Sequence, residues 1–193
     1  MKFMRTVLQL WRRWRGICAH AGGSQIIELA VSLPLMMVMM VGIMDFGQAF
    51  SIKHKLETAT REGARFASNQ SSADLTNPVP PSITAVRDVI HNYLMADEIN
   101  DCGLEAVTPA PRVGLSWTYT ANTGCPANLT LTIDRGNTYA AAGGPALTVE
   151  ASHITISYPF QWRFNRIIKL LAPTSNYAGI TQINAEATMQ NLD

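Results

Sequence analysis

Glu28 is the residue in this chain whose chemistry most needs explaining. It precedes 16 residues, Leu29–Met44, that pass without a charge before Asp45. A carboxylate beside so long an apolar run is costly to keep ionised unless it has a partner or reaches water. One reading is interfacial, with headgroup water hydrating the carboxylate and the positive end of a helix dipole favouring it. The other reading is a specific cationic partner. The cysteines come next. If Cys102 and Cys125 are joined, the 22 residues between them form a loop whose closure is worth about 3 kcal/mol in the chain-entropy model. The alternative is two unrelated thiols. No C-x-x-C occurs, and His20, His54, His91 and His153 are scattered, so no metal site is expected. Gly114-Leu115-Ser116-Trp117-Thr118 lacks the second glycine of a nucleophile elbow. Neither G-x-x-x-x-G-K-[ST] nor G-x-G-x-x-G is present. These residues point to a chain with no catalytic residues and no cofactor.

The element that must position Glu28 is the apolar block itself. Ile26–Ile27 and Phe46–Ala49 extend it to 24 positions interrupted only by the two acids. About 20 apolar residues at 1.5 Å each cross the hydrocarbon core, so the block is long enough. A buried helix of a globular protein would show a polar face, whereas here only Ser32, Pro34 and Gly42 depart from large apolar residues or alanine. Pro34 removes one hydrogen bond, to the carbonyl of Ala30, which membrane helices tolerate. Ahead of the block, residues 1–27 hold Lys2, Arg5, Arg12, Arg13 and Arg15 and no acid. Of 15 basic and 14 acidic side chains overall, that leaves 10 basic against 14 acidic beyond residue 27, or −4. A basic end before an apolar block predicts a cytoplasmic N-terminus and a head on the far side. Two cysteines on that side of a membrane commonly pair. Five cations around Trp11 and Trp14 are too small a footprint for nucleic acid, so no nucleic-acid partner is expected. Ile17–Gln25 is too polar for a signal-peptide core, and any cut should fall before the apolar block.

A cut after Gly23 would give Ser24 a new α-ammonium and put Glu28 at position five of the shortened chain. In a filament that carboxylate could pair with the ammonium of a neighbouring subunit. Gly23-Ser24, Glu28 and the apolar helix resemble a prepilin-peptidase site of the type IV pilin superfamily in its short Flp and Tad form. Asp45-Phe46-Gly47 and then Arg61-Glu62-Gly63-Ala64-Arg65-Phe66-Ala67 resemble the TadE-like family of tight-adherence pilus assembly proteins. The likeness spans about residues 22–68. It implies a minor pseudopilin of the bacterial inner membrane, processed by a separate aspartic prepilin peptidase. Its implied partners are membrane lipid, other Tad pilins and pseudopilins, and their assembly platform. Leu29 stands where Flp-type pilins often have an aromatic, which points away from a major pilin.

Beyond the membrane the helix is expected to run to about Ser68, and a rod over residues 24–68 would be about 67 Å long. Phe46, Phe50, Leu56, Ala59, Ala64 and Ala67 are expected to share one side. Arg61, Glu62 and Arg65 are spaced for pairs worth tenths of a kcal/mol. They form either a solvated charged face or a docking surface for the head with Gly63 allowing close approach, and the resemblance favours docking. Asn69–Pro81 reads as a loop, and Ser82 as the N-cap of a second helix to about Asp97 with Ile83, Val86, Ile90 and Leu94 as its stripe. Val113–Thr120, Leu129–Asp134, Leu147–Phe160 and Ile180–Met189 are strand candidates. Arg163–Leu171 reads as a short helix stopped by Pro173.

These expectations make an α+β chain, pilin-like, with a long transmembrane helix before an antiparallel-sheet head. Residues 1–23 are the leader, 24–49 the membrane segment, 50–68 the helix extension and 69–193 the head, periplasmic or extracellular after assembly. The expected function is non-enzymatic assembly of a Tad/Flp-type adhesive pilus. The alternative is an uncleaved, membrane-tethered periplasmic binding module.

Overall fold

The computed structural model describes residues 21–140, 148–163 and 179–192. The leader before Ala21 and the helix expected beyond Arg163 lie outside them. Helix α1 spans Ala21–Ser68, and the chain divides into two compact units, Met1–Met44 and Asp45–Asp193, which are taken in turn.

In the first unit α1 has no apolar face hidden from its surroundings. Most large apolar side chains from Ile26 to Met44 are 47–72% exposed, and Val38 and Val41 are half-buried. Burying such area is worth about 25 cal/mol per Å², so a helix this bare calls for an apolar medium. Among the described residues, one helix, Gln25–Ser68, is long and apolar enough to cross a membrane. Pro34 sits inside it without ending it.

In the second unit α1 contributes a narrow packed stripe: Asp45, Leu56, Ala59, Thr60, Ala64, Ala67 and Ser68 are buried, with Ile52 packed against the core. Steps of three and four put these on one helix face. Phe46 and Phe50 do not join it and are exposed, contrary to the expected grouping. Asp45 sets the phase of the stripe, and Phe46 and Phe50 fall about 100° and about 140° off it. Helix α2, Pro81–Ala96, buries Ile83, Val86, Ile90 and Leu94, the expected stripe. Its start is a correction. Pro80 is the N-cap and Pro81 opens the helix, a position that suits proline because its missing N–H would be unsatisfied there anyway. Ser82 instead donates from its N–H and its hydroxyl to the two oxygens of Asp74, 2.8 Å each. The cap comes from a carboxylate eight residues back.

Four strands form one antiparallel sheet in the order β1-β2-β3-β4: Ser116–Ala121, Leu129–Ala140, Thr148–Gln161 and Ile180–Gln190. The first strand is shorter than expected. Val113 and Ser116 exchange backbone hydrogen bonds across a turn at Gly114, whose φ of +62° suits glycine. The second is longer, because its register against β3 shifts between Asp134 and Asn137 and then resumes to Ala140. One extra residue on β2 makes this a bulge at Arg135-Gly136. Side chains alternate, so the inner rows are apolar. Trp117 faces Ile133, Ile133 faces Ile154, and Ile154 faces Ala187; Tyr119, Leu131, Ile156 and Ala185 form the next row. These residues pack with the stripes of α1 and α2 in one core. The outer rows are polar, as in Thr118, Thr132, Thr155 and Glu186. The loop 69–80 is fastened through its carbonyls: Arg135 donates to Gln70, Arg112 to Leu75 and Trp117 to Pro78 at 2.8–2.9 Å. Such bonds satisfy acceptors that burial would otherwise strand.

Candidate functional site

Gly23 and Ser24 are helical residues of α1, within its described span from Ala21. Glu28 comes about one helical turn after Ser24, and the Glu28 side chain is exposed. The helix therefore includes the expected cleavage point and carries the carboxylate outward.

In the second unit, Arg65 pairs with Glu62 of its own helix: Nη2–Oε2 is 2.6 Å, and Nε donates to the same oxygen at 2.8 Å. Arg61 and Arg65 are exposed. Around these charges, the surface of α1 that meets the head is built from small residues, Ala59, Gly63, Ala64 and Ala67. A Cβ at Gly63 would lie 2.8 Å from Ile90 Cγ1, 2.9 Å from Ile90 Cδ1 and 3.2 Å from Ile154 Cδ1. The absent side chain lets α1 touch α2 and β3 at once. Eight residues before Gly63, Lys55 Nζ donates to the carbonyl of Asp97 at 2.7 Å, tying α1 to the end of α2.

Cys102 and Cys125 are joined by a disulfide with Cα atoms 5.4 Å apart. The loop around it is organised by side chains that accept backbone hydrogen bonds: Asn100 from Cys102, and Asp101 from Gly103 and Glu105. His91 Nδ1 sits 2.9 Å from Asp101 Oδ2, bridging from α2. Burial alone would favour the neutral form of Asp101. The hydrogen bonds from Gly103, His91 and Glu105 outweigh it and hold the carboxyl below its ordinary range.

The residues just past the apolar run form a second cluster. Asp45 is 2% exposed, whereas Phe46 is 57% and Phe50 64% exposed. The Phe46 ring meets Trp162 edge-on at 5.1 Å, and Trp162 meets Phe160 at 4.9 Å. Trp162 Nε1 donates to Thr181 Oγ1 at 2.7 Å. Sequence reasoning picked out Asp45-Phe46-Gly47 but missed Trp162. The available signal was a tryptophan beside Arg163 at the end of an alternating strand.

The junction, the Asp45 turn and the Arg61–Arg65 face all fall in one stretch with an outside counterpart. Residues 23–65 match the family model of TadE-like proteins. This segment is TadE-like. The TadE-like match begins at Gly23, the first residue of the expected cleavage pair, and ends at Arg65, so the sheet lies outside it. Comparisons with curated proteins and with solved structures give no match.

Proposed function

We infer that this chain is a minor pseudopilin of a Tad-type adhesive pilus, held in the bacterial inner membrane by α1 with its basic end in the cytoplasm. The observation that carries the reading is the TadE-like match over residues 23–65, laid on a helix whose apolar side chains are bare. In this reading a prepilin peptidase cuts between Gly23 and Ser24. The freed Ser24 ammonium and Glu28 of adjacent subunits then pair, because in lipid each charge is costly alone and their attraction is weakly screened. The pair fixes the axial step between neighbours, and the head supplies partner choice. The chain acts by assembly, with no reaction of its own.

The deciding measurement is the N-terminus of the protein from its native membrane, by intact mass and terminal peptide sequencing. A chain beginning at Ser24 is expected. A chain that retains Lys2 and the arginines, in cells with an active prepilin peptidase, would instead make it a tethered binding module. In the same cells Glu28→Ala is expected to abolish pili while leaving the protein membrane-bound. Normal piliation in that variant would end the registration role of Glu28.

A further inference from the structure

The geometry points to a lipid-contact surface at the base of the head, formed by Phe46, Phe50 and Trp162, that rests in the interfacial layer of the bilayer. This inference depends on the membrane-span reading of α1 and adds to it a depth and a set of head residues. From Ile26 to Phe46 the helix rises 20 steps, about 30 Å, which is the thickness of a hydrocarbon core. Phe46 therefore falls at the far boundary, and Phe50, one turn on and on the same side, falls at headgroup level.

The chemistry at that level is sorted as a lipid interface would require. Asp45, the acid of this turn, is 2% exposed and engaged within the protein, while the two phenylalanine rings beside it point outward. Trp162 meets Phe46 edge-on, so a residue of the sheet joins the helix in the same patch. It is half-buried, and its one polar atom is already bonded to Thr181. An aromatic with an apolar body and a satisfied polar edge is the side chain enriched at membrane boundaries. The residue after Trp162, Arg163, is exposed and adds positive charge. Positive charge next to an interfacial tryptophan favours anionic headgroups. In water, by contrast, the exposed rings of Phe46 and Phe50 would each leave apolar area uncovered.

The test uses the full wild-type chain in vesicles of zwitterionic and anionic phospholipid. A trace phospholipid carries a photoactivatable diazirine near its glycerol backbone, and a second carries it near the acyl end. Labelled residues are then mapped by peptide mass spectrometry. Glycerol-level label is expected on Phe46, Phe50 and Trp162, acyl-end label on Leu35–Met40, and neither on the polar sheet rows around Thr132 and Thr155. Label on Leu35–Met40 with Phe50 and Trp162 bare would overturn the surface and leave the membrane span standing. Absence of label from Leu29–Met44 as well would remove both.

Discussion

Asp101 shows how much one acceptor can organise. Its two oxygens hold Gly103, Glu105 and His91 beside the disulfide, and those bonds lower its pKa despite burial. A carboxyl more acidic in the fold than in the unfolded chain stabilises the fold above its ordinary value of 3.8. That contribution fades as the pH falls through the lower, folded value. Asp101→Asn should therefore cost on the order of 1–3 kcal/mol at pH 7, where charge-assisted bonds are lost. Thermal unfolding in detergent should show the gap from wild type shrinking toward pH 3. A gap equally wide at both pH values would mean that the charge of Asp101 contributes nothing. Arg65→Ala, by contrast, removes an exposed pair within one helix and should cost at most about 0.5 kcal/mol in the same assay.

Between elements, the tightest described constraint on how α1 meets the head is the missing side chain of Gly63. Gly63→Val would push into Ile90 and Ile154, and overpacking of this kind costs about 1–3 kcal/mol. Ile90→Ala alone opens a cavity in the core, yet combined with Gly63→Val it should lose less than the sum of the two. A double-mutant cycle by urea unfolding measures that coupling, and strict additivity would show that the two residues do not share space. The elements also show what the sequence could reveal. Ile154 and Ile156 alternate with Thr155 and Ser157, so their strand was legible from period two alone. The end of β2 was not, because the bulge at Arg135-Gly136 breaks that period just where pairing resumes. The Asp74 cap was equally hidden, since the acceptor arrives from a loop rather than from the position before the helix. The stripe of α1 was misphased at Phe46 and Phe50 for a related reason: a buried acid, Asp45, holds a place that hydrophobicity assigns to a phenylalanine. Of the site, the junction and the Asp45 turn were legible as motifs. Trp162 was not, because its contact with Phe46 spans more than a hundred residues of chain.

At the scale of the whole molecule, charge and apolarity are segregated along the sequence, and that segregation predicts an orientation. Replacing Arg12, Arg13 and Arg15 by Glu should reduce insertion with the head outward, because basic residues near a span resist translocation. Protease added to spheroplasts should digest the head of the wild type and spare it in the charge-reversed chain. Equal digestion of both would show that these arginines do not set the topology.

The Cys102–Cys125 bridge also makes the chain its own itinerary. The sequence holds three cysteines, Cys18 ahead of Gly23 and the bridged pair in the head. A newly made chain in a reducing compartment would carry three titratable thiols. One whose head had reached an oxidising compartment would carry only Cys18, and one also cut after Gly23 would carry none. Counting alkylated thiols per chain at intervals after synthesis would time translocation and processing separately, with no tag attached to the protein.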